Sequence, residues 1–278
     1  MAETPALSAC IITFNEADRI ADCIASLDFC DEIVVVDSGS TDDTVAICQA
    51  HGARVLVRPF DGFQAQKQFA VDQASHDWII SLDADERVSP ALRQAIASER
   101  NTGFARADGY RFNRLSEYFG RFLRHGNAYP DRQLRLFNRH AGSWNAHRQI
   151  HERVVVKGAA ATLPGDLLHH PYRSFSQLLG KKQHYARMMA EHDFQRGRRA
   201  TPGKLLLAPL WRFVRGYVLR RGFLDGWPGL LEALVSSNYV AQKTIMLWLL
   251  EHGQPLVDPV RSRQDPAASP SAPHTDRQ

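Results

Sequence analysis

Trp78-Ile79-Ile80-Ser81-Leu82-Asp83-Ala84-Asp85-Glu86 is the stretch on which the fold turns. Its apolar half reads as a buried strand, and it ends in two carboxylates two residues apart, a donor pair suited to a hard divalent cation. A D-x-D match alone is common. Its weight comes from its place as the fourth strand end in a regular series. Strand-like runs precede it at Ser8 to Thr13, Glu32 to Val36 and Ala53 to Val57, and helix-period segments lie between at Ala17 to Leu27, Thr44 to His51 and Gln64 to Ala74. Such alternation predicts parallel strands covered on both faces and joined by right-handed crossovers, an open, Rossmann-like α/β sheet.

Ligands of such sheets bind at the carboxyl ends of the strands. Here those ends carry Asn15 and Glu16, then Asp37-Ser38-Gly39-Ser40-Thr41-Asp42, then Arg58, then Asp83 to Glu86. No G-x-G-x-x-G follows the first strand, which argues against a dinucleotide site. After Ser98 the pattern loosens into shorter runs, Gly109 to Asn113, Gln133 to Phe137, Arg153 to Lys157 and Asp166 to His169, read as a partly antiparallel continuation of the sheet that builds the acceptor side of a cleft. Helical periodicity resumes from Ser174 through Lys204 to Tyr217 and Gly229 to Leu250, and the Pro- and Ser-rich end reads as a disordered tail.

At 278 residues, 44% hydrophobic and 23% charged, the chain is long enough for one large domain with an appendage. The predicted division is 1–172, with halves 1–100 and 101–172, then a basic helical region 173–254 and a tail 255–278. Cys10, Cys23, Cys30 and Cys48 form no C-x-x-C pair and read as reduced core residues. Met1 to Pro5 carries no basic leader, Cys10 to Phe14 is too short for a signal peptide, and no apolar run approaches the roughly 20 residues that span a bilayer. These features predict a cytoplasmic protein that meets a membrane only at its surface. The formal charge of +4 is uneven: twelve Lys or Arg lie between Arg173 and Arg221 against Glu191 and Asp193 alone. Leu205, Leu206, Leu207, Leu210, Trp211, Phe213, Val214, Tyr217 and Leu219 are interleaved with Arg212, Arg215, Arg220 and Arg221. That mixture suits either a helix in the headgroup layer of an anionic membrane or an amphipathic helix covering the sheet.

The ordered set Ile12-Thr13-Phe14-Asn15-Glu16, Glu32 to Asp42, Gln66-Lys67-Gln68 and Ser81 to Glu86 resembles the family 2 glycosyltransferases of GT-A fold. The branch it looks most like includes the lipopolysaccharide inner-core β-1,4-glucosyltransferases. Tyr129-Pro130-Asp131, Leu134 to Phe137, His151-Glu152, His169 and Gly222 to Gly226 extend the likeness over nearly the whole chain except the tail. The resemblance implies that Thr13, Phe14, Asn15, Glu16, Asp37, Ser38, Lys67, Asp83 and Ala84 hold a nucleotide sugar, with Asp83 at the ribose. It implies Asp85 as the main ligand of Mg²⁺ or Mn²⁺, with His169 as a further metal or phosphate ligand. It also implies Glu152 as the base, with Asp131 orienting the acceptor.

The residues also allow plainer readings. Asp37 can satisfy loop amides while Ser40 or Thr41 caps a helix, and the acids at 83–86 can cap the helix near Ser89-Pro90. Glu152 can pair with an arginine, His169 can be structural, and Lys67 and Arg135 can contact the phosphates or an anionic acceptor, or be solvated charge. In an extended loop Asp83 and Asp85 would point the same way. Inversion at an anomeric carbon needs one base, for which Glu152 and Asp131 both qualify. The expected activity is transfer of a hexose, glucose from UDP-glucose, to a lipid-linked glycan such as the lipopolysaccharide inner core, with no nucleic acid partner. Transfer to polyprenyl phosphate is the near rival, although such enzymes frequently add hydrophobic segments that this chain lacks. A nucleotidyltransferase would announce a Gly-rich basic loop after strand one, and an aspartyl phosphatase would carry its D-x-D there. A non-catalytic sugar-nucleotide binder would not need both the D-x-D and Glu152.

Overall fold

A computed structural model describes residues 4–144 and 153–256, so Glu152 and the expected tail beyond residue 256 lie outside the described residues. The chain divides into two compact units, Met1–Arg173 and Ser174–Gln278.

The first unit begins with β1 (Leu7–Thr13), α1 (Ile20–Ala25), β2 (Glu32–Asp37), α2 (Thr44–Ala50), β3 (Arg54–Val57), α3 (Phe63–Gln73) and β4 (Trp78–Asp83). The four strands pair in parallel in the order β3-β2-β1-β4. Side chains of β1 alternate between two cores: Leu7, Ala9 and Ile11 pack with Ile20, Leu27, Val35 and Ile80, whereas Cys10 and Ile12 pack with Val36, Ala70, Val71 and Ile79. Burial on both faces is why these strands read as unbroken apolar runs. The exception is β3, an edge strand with exposed ends and not a strand covered on both faces as its apolar run predicts. Helix α1 starts three residues later than its periodicity predicts. Asn15 is left-handed at φ 53°, and the amides of Glu16 and Ala17 are taken by Thr44 Oγ1 and Asp42 Oδ2, so helical bonding begins only from the Glu16 carbonyl.

The chain continues through β5 (Glu86–Val88), α4 (Pro90–Asn101), β6 (Gly109–Tyr118), β7 (Arg121–Phe122), β8 (Asp131–Asn138), β9 (Gly142–Trp144), β10 (Val154–Val156) and β11 (Ala160–His169). The sheet runs on as β4-β8-β6-β11-β5, with β7 on β6 and with β9 and β10 as a separate ribbon. β8 is antiparallel to β4 and β6, β11 is parallel to β6, and β5 is antiparallel to β11. Only Ala84 and Asp85 separate β4 from β5, yet the two strands are four places apart along the sheet. The path β4-β8-β6-β11 must therefore curl until its far edge returns to the end of β4. Gly165 supports this curvature: at φ +92° it lets β11 pass α4 so closely that a Cβ there would lie 2.4 Å from the Leu92 nitrogen.

The second unit is helical: α5 (Phe175–Gln195), α6 (Pro202–Phe213), a π-helical stretch Val214–Leu219, a 3₁₀ turn Gly222–Asp225 and α7 (Gly226–Glu251). Ser174 and Thr201 cap α5 and α6 through their side-chain oxygens. Asp193 is buried between Lys243 Nζ at 2.9 Å and Arg198 Nη1 at 2.8 Å, and Gly222 lies against Gly229 too tightly for a side chain. No residue of α6 is buried, and Leu206, Leu207, Leu210, Trp211, Leu219 and Trp227 all stand more than half exposed. Among the described residues no helix is long and apolar enough to cross a membrane.

Candidate active site

The sheet directions place the candidate residues along one end of the strands. β1, β2, β4, β6 and β11 run the same way and end there with Thr13, Asp37, Asp83, Tyr118 and His169, and β8, running oppositely, starts there with Asp131.

At the β1 and β2 ends, polar side chains knit two loops into one wall. Asp37 is 1% exposed; its Oδ2 accepts from the amides of Gly39 and Ser40 at 2.9 and 2.8 Å, and its Oδ1 from Ser40 Oγ at 2.5 Å. Ser40 Oγ in turn accepts from the Asn15 amide at 2.8 Å, and Asn15 Oδ1 accepts from the Thr41 amide at 2.8 Å. Ser40 and Thr41 thus tie loop to loop and do not cap α2, whose N-cap position is Asp43. Gln66 reaches across from α3 to Ser38 Oγ at 3.2 Å, and Phe14 is 55% exposed beside this wall. Arg173 clamps the β1 loop from outside, bonding the Asn15 carbonyl, Glu16 Oε2 and both oxygens of Asp18. Burial raises the Glu16 pKa against the pull of Arg173.

At the β4 end the chain makes a tight turn at Ala84-Asp85, replacing the extended loop expected from the sequence. Asp83 faces the cations of two neighbouring elements: Lys67 Nζ lies 2.8 Å from Oδ1 and Arg135 Nη2 3.0 Å from Oδ2. Burial alone would raise its pKa, but Lys67 and Arg135 overwhelm that and hold the carboxylate well below its usual range. Arg135 also grips the fully buried Glu86 at 3.1 Å, and Glu86 Oε2 accepts from the Asp83 amide at 3.0 Å. Arg114 extends the chain of charges from Glu86, at 3.5 Å, to Asp131, at 2.8 Å. Lys67, Arg114 and Arg135 thus balance Asp83, Glu86 and Asp131. Both Lys67 and Arg135 are buried, so neither is the solvated charge that the sequence allows. The helix after the turn is capped by Ser89, whose Oγ accepts from the Leu92 amide, so the acids at 83–86 do not serve as its cap.

Asp85 faces β11. Its Oδ2 lies 3.5 Å from His169 Nε2, and its carbonyl accepts from the His170 amide at 2.9 Å. His169 is oriented from behind by Ser116 Oγ, 2.9 Å from Nδ1. Asp131, held by Arg114 and by Gln133 Nε2 at 2.7 Å, has its oxygens committed to neighbours. Glu152 follows the β9 strand and falls outside the described residues. Sequence reasoning missed Glu86, Arg114, Ser116 and Arg173. For Glu86, Arg114 and Ser116 the signal was a charged or hydroxyl residue within a strand, which means little until partner strands are paired; Arg173, between β11 and α5, carried no local signal.

Known proteins share this sequence pattern. The profile of glycosyl transferase family 2 matches residues 8–140. The lipopolysaccharide core biosynthesis glycosyltransferase LpsC of Rhizobium meliloti (strain 1021) is 34% identical over 239 residues, 84% of this chain and 88% of that one. The uncharacterized glycosyltransferase RT0209 of Rickettsia typhi is 31% identical over 82% of each chain. Among solved structures, S. aureus TarS 1–349 in complex with UDP-GlcNAc aligns over 91% of this chain and 93% of its own at 14% identity and a TM-score of 0.45. The curled mixed sheet is of the GT-A type, and the chain belongs to glycosyl transferase family 2, a family of enzymes that transfer sugars.

Proposed function

We propose that this glycosyltransferase is an inverting, metal-dependent hexosyltransferase that moves glucose from UDP-glucose to a lipid-linked glycan such as the lipopolysaccharide inner core. The observation that carries the reading is the approach of Asp85 to His169 at the same end of the sheet as Asp37 and Asp83. The name of the LpsC relative supports the acceptor class.

In this reading Thr13 to Glu16, Asp37 and Ser38 hold the nucleoside, Asp83 meets the ribose, and Lys67 acts on the donor through Asp83. Among the described residues no three His, Cys, Asp or Glu side chains converge on one point. A carboxylate and an imidazole oriented from behind nonetheless fit Mg²⁺ or Mn²⁺ held partly by the substrate's own phosphates, since such ions readily keep water and phosphate oxygens as ligands. Asp85 and His169 would hold the ion, which when bound supplies charge neutralisation for the departing diphosphate. Glu152 takes the proton from the acceptor hydroxyl as it attacks. Asp131, already engaged by Arg114 and Gln133, orients the acceptor. The enzyme works at the cytoplasmic face of the membrane, touching anionic lipid through the exposed apolar side chains of its helical unit and the exposed Arg220 and Arg221.

The test is a donor screen. Thermal shifts are measured with UDP, GDP, CMP and ADP sugars in Mn²⁺, followed by transfer and hydrolysis assays on the stabilising donor. Stabilisation by UDP-glucose alone supports the reading; stabilisation by another nucleotide, or none, removes it.

A further inference from the structure

The indole of Trp144 lies over two cations at once: Lys67 Nζ is 4.7 Å and the Arg135 guanidinium carbon 5.3 Å from its ring centre. These are the two groups that hold Asp83. Trp144 is 5% exposed, and its main chain is fastened to the helix that carries Lys67. Its amide donates to Gln68 Oε1 at 2.9 Å, and its carbonyl accepts from Gln64 Nε2 at 3.1 Å. Gln64, Lys67 and Gln68 stand at i, i+3 and i+4, one face of α3, so a single helical stripe fixes both the cation and the ring above it.

Two further details direct attention to the ring's face and away from its N–H. Among the described residues the buried indole Nε1 has no hydrogen-bond partner, and neither do Arg135 Nε and Nη1. A buried guanidinium with unmatched N–H groups is costly, and the negative face of an indole is the partner it has here. The same ring keeps water off Lys67 and Arg135, which strengthens their hold on Asp83.

We propose that Trp144 is a positioning residue for the donor nucleotide: its π face locks Lys67 and Arg135 onto Asp83 and so fixes the carboxylate in one orientation. The proposal rests on the reading of Asp83 as a donor contact. The experiment measures UDP binding in Mn²⁺ by calorimetry, UDP-glucose kinetics, and melting temperatures for Trp144→Leu, Trp144→Phe and Asp83→Asn. Trp144→Leu is expected to weaken UDP binding and raise the donor KM about tenfold with a smaller change in kcat, and Trp144→Phe to recover most of the loss. Equal effects of Leu and Phe, or a loss confined to kcat or to melting temperature, overturn the proposal. Fluorinated tryptophans placed at position 144 keep the ring's shape while draining its face, and cover the case in which Trp144→Leu does not fold. Stepwise weakening of UDP binding with fluorine count supports the proposal; no trend overturns it. Unchanged UDP affinity in Asp83→Asn removes the Asp83 reading and the proposal with it. Weakened affinity in Asp83→Asn with none in Trp144→Leu removes the Trp144 proposal alone.

Discussion

His169 and Asp85 are 84 residues apart in sequence, and strand register brings them together: β11 pairs with β5 so that His169 stands opposite Glu86, and Nε2 comes within 3.5 Å of Asp85 Oδ2. Ser116, opposite His169 on β6, supplies the partner for the other ring nitrogen. Asp85→Ala is expected to abolish metal-dependent transfer, whereas Ser116→Ala should lower Mn²⁺ affinity about tenfold to a hundredfold. A Mn²⁺ titration followed by electron paramagnetic resonance reads both. Full metal-dependent activity in Asp85→Ala would remove the metal assignment.

The two candidate bases separate by substitution. Glu152→Gln is expected to lower kcat by about a hundredfold or more, the usual contribution of a general base. Asp131→Asn releases Arg114 from a close ion pair and should act mainly on acceptor KM and on stability. Near-normal turnover in Glu152→Gln together with its loss in Asp131→Asn transfers the base to Asp131.

Arg135→Met leaves the fully buried Glu86 and the half-buried Asp83 with one cation fewer between them. Removing one partner from a buried charge network costs about 3–5 kcal/mol, so the urea midpoint should fall sharply. A midpoint equal to that of the parent protein would show that these charges contribute little to the fold.

Glu32 gives an acid-limb prediction. Burial raises its pKa, but hydrogen bonds from the Ser75 amide, Ser8, Arg54 and the Ser75 hydroxyl outweigh it and bring the value down to about 2. A carboxylate with a depressed folded pKa contributes stability that is present above its unfolded value, about 4.3 for Glu, and is lost as pH falls through the folded one. Melting temperature should therefore drop between about pH 4 and pH 2, and Glu32→Gln should flatten that limb while lowering stability at pH 7. An unchanged acid limb in Glu32→Gln would assign the loss to other groups such as Asp83.

Trp211 and Trp227 stand 59% and 76% exposed in the helical unit, near Arg212, Arg215, Arg220 and Arg221 in sequence. Co-sedimentation with phosphatidylglycerol vesicles at low salt is expected, reduced by Trp211→Ser with Trp227→Ser and by raising salt. Equal recovery with neutral and anionic vesicles would remove the electrostatic part of the reading, and no recovery with either would remove membrane contact.

The β1, β2 and β4 strands were legible because burial on both faces leaves continuous apolar runs, and Asp37 and Asp83 were legible as the polar residues that end them. β5 was not. Glu86-Arg87-Val88 carries two charges in three residues, and only pairing with residues 167–169 makes it a strand. Arg114 drew no reading, and Arg135 stayed open between a phosphate contact and solvated charge, because the acids that neutralise them sit on other strands. The late start of α1 was hidden for the same reason, since Thr44 and Asp42 claim its first amides from a loop away.

The two-residue turn between β4 and β5 also orders the birth of the enzyme. A ribosome releases Asp85 well before His169, and β5 has no strand to join until β11 has been made. A nascent chain that stops short of residue 160 therefore holds the parallel half of the sheet and its acidic turn but lacks the imidazole that completes the pair. Cation affinity should appear late and abruptly during synthesis, as the last strand of the sheet docks, and stalled chains of increasing length would report the step.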